Sequence, residues 1–554
     1  MVTASFKAND NQQISLSDSF LLTSKRTQKI VLKSWAKDFS EIIFPTINEE
    51  RFSVLYSNNP ASRPNTPINV IVGSLCLKEM FTLTDDELLE AILCDIRFQY
   101  ALNTTGMEEQ PFSDRTLSRF RERNYLYNME SSQDLIQEEM EAISKAFVKF
   151  MGINPSVKRM DSVMIASNCK KMSRLEILYS CVVNMVKAVK GTGDEELLKG
   201  MDRYLDPDDL NETIYHRKSE DITGRLQQVI DDATQLSKYP DDTFFDLPEY
   251  QLLRRVLMEQ TKPDSNGGNA AKDKKDITPP SLQNPSDPDA TYRSKAGKDH
   301  KGYVGNLLES FDENGAIITA FDYQPNSHSD SEFCKETIEK LGPQEERITI
   351  ITDGAYSGTE NNALAVTNNI ELITTALTGK NPDTICAGFE IDSDKQVIVK
   401  CPAGKTPYKT SYYEATGMFR GSFNRKDCAG CQYREQCGSK LQKKSAYVMI
   451  STKMVQRASY LTKLSTEEYK LLTRKRNGVE GLPSVLRRRY HVDQMPVRGL
   501  VRSKFWFSFK IMAINAKRVL KKASAQAKNI FESVKKIIWQ KFKSESSNLA
   551  ANAA

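Results

Sequence analysis

Apolar residues recur along the chain in two periods, and the switch between them divides it. From residue 1 to about 150 the spacing is helical. Ile68, Val72, Leu75 and Met80 fall at helical intervals within Pro67–Phe81, and Thr84-Asp85-Asp86-Glu87 forms a capping box that opens a second helix through Cys94. Ser113-Asp114-Arg115-Thr116 starts a third, with Leu117 and Phe120 facing inward, while Arg115, Arg119 and Arg123 share one outer face. Short helices, a polar turn and an Arg-lined helix resemble a helix-turn-helix module; an ordinary helical bundle with a charged face fits the same pattern.

The period then shortens. Residues 157–166 read as the first strand of a second domain. A helical insertion follows over about 172–262, with an acidic patch at Asp206, Asp208 and Asp209, and 263–286, which contains Pro279-Pro280, reads as a flexible loop. Strand signals resume at Tyr303–Phe311 and Ala316–Tyr323, with Asp312-Glu313-Asn314-Gly315 as the hairpin between them. A helix around Ser331–Leu341 leads to the β-branched run Ile348-Thr349-Ile350-Ile351-Thr352, which ends on Asp353, and Ile370–Ala376 reads as a further strand. From about 380 to 450 the chain is rich in Gly, Lys, Tyr and Thr, and helical pattern returns at Thr466–Glu480 and Phe505–Leu520. The predicted organisation is therefore α/β: an all-α N-terminal domain (1–150), a sheet domain begun over 151–380, a Cys-bearing β-rich insertion (381–450), the rest of the sheet domain with basic helices (451–543), and a disordered tail (544–554).

Composition narrows the class. At 554 residues the chain is long enough for several domains, and no run of 18 apolar residues occurs, so no membrane-spanning helix is expected. Met1–Asp18 is polar and lacks a signal-peptide core, so a soluble intracellular protein with reduced or metal-bound cysteines is expected. The net charge of +5 says little, but its distribution says more. Twelve Lys/Arg and one acid, Glu532, lie between Arg502 and Lys543, and six Lys/Arg with one acid, Glu480, between Arg474 and Arg489. Segments this basic suit a polyanion partner, although a solvated helical face has the same look.

The candidate chemistry rests on three acids. Asp353 ends a buried strand, Asp161 stands in similar surroundings in Met160-Asp161-Ser162-Val163, and Glu480 lies in an Arg-rich helical segment. Carboxylates delivered in this way can hold two divalent metals, which activate a water or hydroxyl against a phosphodiester and stabilise the leaving oxygen. Gly354 and Gly358 let the backbone turn away after Asp353. Arg476 and Arg487, one turn before and two turns after Glu480, are placed to hold phosphates, as is the adjoining Arg488, although Gly481 and Pro483 break or kink the helix just after Glu480. Cys428 and Cys431 have knuckle spacing, and Cys401 and Cys437 can complete a tetrahedral structural zinc site; the alternative is a set of semi-buried thiols. The other six cysteines, at 76, 94, 169, 181, 334 and 386, read as core or incidental. None of His216, His300, His328 and His491 forms a useful pair, and no P-loop or dinucleotide fingerprint is present. Trp506 and Trp539 are aromatic candidates for stacking an extruded base, with helix core the favoured place for Trp506.

Together these segments resemble bacterial insertion-sequence transposases of the DDE type, over most of residues 45–520. The similarity lies in Pro67-Ile68-Asn69-Val70, Thr84–Leu88 and Pro111–Phe120 for the N-terminal helices, and in Asp161–Ile165 for the first acid. It continues in Asp287-Pro288-Asp289-Ala290 and Lys301-Gly302-Tyr303 before the central hairpin, and in Thr352–Tyr356 for the second acid. Arg476–Gly481 with Arg498-Gly499-Leu500 resembles the third-acid motif, and Ala513–Arg518 the close. Thr473 and Arg487 depart from the family, which has Tyr and Lys there; Tyr469 lies one turn earlier. The resemblance implies a ribonuclease-H-like mixed sheet with flanking helices and an insertion before the third acid. It implies that Asp161, Asp353 and Glu480 hold two Mg²⁺ or Mn²⁺ ions. Arg115, Arg119, Arg121 and Arg123 would bind the terminal inverted repeats of double-stranded DNA, and a homodimer would form the synaptic complex. A non-catalytic DNA-binding relic, or a ribonuclease-H-like nuclease without strand transfer, would share much of this sequence.

Overall fold

The computed structural model describes residues 4–9, 18–57, 59, 61–106, 110, 112–192, 198–215, 221–238, 242–264, 267–295, 297–377 and 379–551. Pro111, His216, Ser265, Asn266, residues 552–554 and the side chain of Trp539 lie outside this description. The chain divides into two compact units: the first takes residues 1–155, 162–329 and 482–554, the second 156–161 and 330–481. The Val157–Ala166 strand therefore contributes its first half to one unit and its second half to the other.

In the first unit the N-terminal helices form where their caps predict. Thr84 accepts from the Glu87 N–H, and the Glu87 carboxylate accepts from the Thr84 N–H at 2.7 Å. Ser113 and Thr116 form the equivalent box at the start of Asp114–Ser131. The Ile68–Phe81 helix departs from the one-faced expectation, because residues 70–80 are buried all round. Its neighbour is the C-terminal helix Leu500–Ala551, which also packs on the Leu135–Met151 helix and the Gly315–Pro325 strand. That helix runs well beyond Leu520 and through residues assigned above to the tail. Its hold on the sheet is polar as well as apolar. Buried Asn515 accepts from the Ile318 N–H (3.0 Å) and donates to the Ile318 carbonyl (2.8 Å), and Arg518 pairs with fully buried Glu309 at 2.7 Å. The strands Lys298–Asp312 and Gly315–Pro325 pair antiparallel with an irregularity at Leu308/Glu309, and Asn515 bonds to Ile318 beside it.

Three of the segments that carry the family resemblance meet here as one structural knot. Asp287 accepts from the Tyr303 hydroxyl (2.5 Å), from Ser167 (2.5 Å) and from the Gly499 N–H (2.9 Å), while Asp289 accepts from the Leu500 N–H (2.8 Å). Two carboxylates thus serve the exposed N–H groups at the N-terminus of the last helix. Gly302, at φ +145°, passes so close to the strand beside it that a Cβ would stand 2.3 Å from the Ile165 carbonyl oxygen. The helical insertion has its own core, built by Leu178, Val182, Val229, Ile230, Leu253 and Val256. The expected flexible loop belongs partly to it: Thr261–Pro263 pairs with Asn269–Ala271, and Leu282 is fully buried in that core.

In the second unit the first half of the Asp161 strand pairs parallel with Ile348–Thr352, which pairs parallel with Ile370–Thr374. The helices Asp330–Leu341 and Thr359–Thr367 accompany these strands. The Cys-bearing segment is β-rich. Its four-stranded antiparallel sheet runs Lys409–Tyr413, Met418–Asn424, Ser445–Ile450, Lys440–Leu441, and Phe389, Ile398, Phe419, Phe423 and Val448 form its core.

Candidate active site

Strand register brings the first two acids together. Val157, Lys158 and Arg159 pair with Thr349, Ile350 and Ile351, so the same register carried two residues further sets Asp161 beside Asp353. Neighbouring strands lie about 4.8 Å apart, close enough for two carboxylates to share a cation. Asp353 is also held by its own turn: Oδ1 accepts from the Ala355 N–H at 2.8 Å, which leaves Oδ2 for another partner. Neither Gly354 nor Gly358 takes a left-handed backbone, so the turn after Asp353 depends on this side-chain cap rather than on glycine freedom.

Glu480 arrives by a different route. The helix expected to reach it ends at Arg476, and the next begins at Gly481, so Glu480 stands in a four-residue turn. The break precedes Glu480 rather than following it. Asn477-Gly478 opens the turn, and Arg159 Nη1 donates to the Lys475 carbonyl at 2.8 Å and so satisfies one of the acceptors at the helix end. A Cβ on Gly478 would meet that guanidinium at 2.1 Å, and Arg159 is itself buried, so the turn needs glycine there. Arg159 is the residue that sequence reasoning missed. An arginine within a predicted strand, two residues before its acid, is the available signal.

All three acids converge on Arg476. Its Nη2 lies 3.4 Å from Asp161 Oδ1 and 3.9 Å from Asp353 Oδ2, and its Nη1 lies 3.1 Å from Glu480 Oε1. The guanidinium is only 11 % exposed, against 56 % for the Glu480 side chain. Three carboxylates around one cation form an all-oxygen donor set with a positive centre, which is the electrostatic demand a divalent ion would also meet. Among the described residues no group of three or more His, Cys, Asp or Glu is already drawn together as metal ligands. The helix carrying Arg476 is tethered at its other end. The Tyr469 hydroxyl donates to Glu371 at 2.5 Å, and Lys463 and Arg347 pair with the same carboxylate at 3.0 and 3.1 Å. Burial opposes the charge on Glu371, but the bonds from Tyr469 and Lys463 and the nearby cations hold its carboxyl below the ordinary range. Burial first, then the Glu371 bond, raises the Tyr469 hydroxyl. Beside the Asp353 turn, Ser357, Gly358, Asn362, Lys453, Arg457 and Tyr460 line an open trough of about 770 Å³.

The other candidates are distributed differently. Arg115 and Arg119 are exposed, whereas Arg121 makes a two-pronged bond to Asp85 (2.6 and 2.9 Å) and Arg123 lies over the Tyr56 ring at 4.6 Å. The single Arg face is thus split by partner. Arg487 donates to the Met164 carbonyl (2.6 Å) and pairs with Asp493 (3.3 Å), while Arg488 is exposed. Cys401, Cys428, Cys431 and Cys437 all line one cavity of about 20 Å³. Tight backbone turns surround them: the Cys431 N–H donates to the Cys428 carbonyl and the Gly404 N–H to the Cys401 carbonyl. Burial, then Cys437, raises the Cys428 thiol; Ser439 opposes this, and Cys401 and Cys431 add to it. Buried Cys386, which the spacing left among incidental residues, belongs to the same lobe core, and Cys437 helps to raise its thiol after burial.

Two family models match the chain. A transposase DDE domain is similar over residues 400–520, and a transposase domain (DUF772) over residues 31–123. No curated protein and no solved structure matches it. Among the described residues no helix is long and apolar enough to cross a membrane.

Proposed function

We propose that this chain, an insertion-sequence DDE transposase by its two family matches, cuts the ends of its own mobile element and joins them to target DNA. The observation that carries the reading is the convergence of Asp161, Asp353 and Glu480, from three distant parts of the sequence, on one guanidinium. The three parallel strands of the second unit and the antiparallel hairpin of the first have the strand content of a ribonuclease-H-like sheet, and we read them so.

Asp161, Asp353 and Glu480 would hold Mg²⁺ or Mn²⁺, which when bound supply activation of a water, then of a 3′-hydroxyl, and stabilisation of the leaving oxygen. The protein's own part is positional. Register fixes Asp161 beside Asp353, and the Ala355 N–H aims the Asp353 carboxylate. Arg159 holds the Glu480 turn in place. Arg476 balances the three acids here and is the nearest cation for a phosphate oxygen once DNA is bound. Arg115, Arg119 and Arg488 are exposed for backbone contacts, Arg121, Arg123 and Arg487 reach DNA from partnered positions, and two copies would pair two ends. Such contacts predict binding that weakens steeply with salt.

The four cysteines of the lobe would hold one structural zinc, drawn into the cavity they already share. Metal analysis of the purified chain should find one zinc, lost in Cys431→Ser; a metal-free wild type would leave the four as semi-buried thiols.

The deciding experiment is cleavage of a supercoiled plasmid carrying the element's ends, with Mg²⁺ or Mn²⁺, by wild type and Asp353→Asn. Excision and joined products from wild type alone support the transposase. Cleavage without joining would favour a nuclease. Tight binding without cleavage by either protein would favour a DNA-binding relic and end the catalytic reading.

A further inference from the structure

Asp161, Asp353, Arg476 and Glu480 all belong to the second unit, and the Arg476 guanidinium stands where the three carboxylates face one another. Its contacts are unequal. Nη1 donates to Glu480 Oε1 at 3.1 Å, whereas Nη2 is shared between Asp161 at 3.4 Å and Asp353 at 3.9 Å. Nε is buried and has no hydrogen-bond partner. An unmet buried donor costs stability. Arg476 is therefore drawn to this place by charge more than it is fixed there by hydrogen bonds.

The same oxygens cannot serve this guanidinium and a divalent ion together. Mg²⁺ takes its oxygens at about 2.0–2.1 Å in a near-octahedral shell. Here the acids stand 3.1–3.9 Å from the guanidinium nitrogens, spread around a flat group. To hold an ion they must close in on the place that Arg476 takes, and a cation left beside that ion would repel it. Exchange is built into the elements. Arg476 is the last residue of its helix, and the break that follows puts Glu480 on an exposed turn, so both can shift while Asp161 and Asp353 stay on their strands. A phosphodiester is the group that would draw the guanidinium away, because its paired oxygens accept a two-pronged bond that the three carboxylates do not offer.

We infer that Arg476 closes the metal site in the DNA-free chain and opens it when a backbone phosphate of DNA takes the guanidinium. The inference rests on the transposase reading and adds an order to it: DNA first, then metal ions. Carboxylates that gather metal only beside DNA hold cutting back until the substrate is seated. The coupling is reciprocal, so the factor by which DNA tightens the metal is the factor by which the metal tightens DNA.

The test is Mn²⁺ binding to the full chain, followed by the electron paramagnetic resonance of free Mn²⁺, with and without a duplex of the element's end. Binding that Asp353→Asn removes is counted as that of the three acids. Without DNA, Arg476→Gln should bind Mn²⁺ about ten-fold tighter than wild type, within the usual range for coupled sites. The duplex should tighten wild type by a similar factor and the variant by much less. Lys475→Gln removes an exposed charge one residue away and should change the affinity by no more than about two-fold, because salt screens it. Equal affinity in wild type and Arg476→Gln, or equal tightening in Lys475→Gln, overturns the inference. Should Arg476→Gln fail to fold, Arg476→Lys decides: it keeps the charge but cannot span three carboxylates, so Mn²⁺ should bind several-fold tighter, and unchanged affinity overturns the inference. If Asp353→Asn removes no Mn²⁺ binding from any of these proteins, with or without DNA, the acids hold no metal. The catalytic reading is then what fails, and the inference falls with it.

Discussion

Asp161 and Asp353 reach the site along strands, and Glu480 reaches it on a turn. The strand acids are fixed by backbone pairing and by one side-chain cap, and their side chains are 16 % and 30 % exposed. Glu480 is 56 % exposed, and its place depends on a buried arginine beneath a glycine and on the tether at Tyr469. A sheet tolerates no sliding, because a one-residue slip turns a side chain to the other face. A turn between two helices has no such constraint. The third acid is therefore the adjustable member of the set, and the interactions behind it deserve as much attention as the carboxylate itself.

The largest effect is expected at a strand acid. Asp353→Asn keeps an oxygen for the Ala355 N–H, so the fold should stay intact while cleavage falls by about 10³-fold or more through loss of one charged ligand. Strand cleavage measured beside an unchanged circular-dichroism spectrum checks this; retained activity would remove Asp353 from the site. The turn acid can be disturbed without being touched. Gly478→Ala puts a methyl into the Arg159 guanidinium, and displacing the turn by about 1 Å should lower cleavage by roughly 10²-fold with little loss of DNA binding. Equal activity for Gly478→Ala and wild type would mean that the turn does not position Glu480.

How far the sequence foretold this site follows the same division. The strand placement of Asp161 and Asp353 is legible, because Asp353 follows a β-branched run and Asp161 lies within another strand pattern, and the neighbouring strands and helices follow from their periods. Glu480 is recognisable as a residue but not in its setting, because helical propensity through Arg474-Lys475-Arg476 masks the break, and the distant arginine that supports the turn is not visible in the local sequence. Convergence on Arg476 is likewise a long-range fact. The knot of Asp287, Tyr303 and Gly499 teaches the reverse lesson: residues that stand out as motifs there hold a helix end to a sheet.

A third variant separates scaffold from site. Asn515→Ala leaves the Ile318 N–H and carbonyl unpaired in the core of the first unit, at a cost of about 2–4 kcal/mol. The melting temperature should drop by several degrees, while cleavage per folded molecule at low temperature changes little. If cleavage per folded molecule falls as far as it does in Gly478→Ala, the effect ascribed to the turn is a general loss of stability.

The smallest effect tests the tether. Glu371 is held below the ordinary glutamate range in the folded chain, so its contribution is fully present above that range and is lost as pH falls through the folded value. Tyr469→Phe removes one bond to the carboxylate, which should cost about 1–2 kcal/mol near neutrality and move the protonation of Glu371 to higher pH. Glu371→Gln should remove this part of the pH dependence altogether. Urea midpoints for the three proteins, measured from neutral into the acid range, would show it as a smaller acid-side slope in both variants. Parallel slopes would mean that Glu371 does not report on the helix that carries Arg476. The turn acid would then be held by Arg159 and Arg476 without the tether, and the contrast with the strand acids would be sharper still.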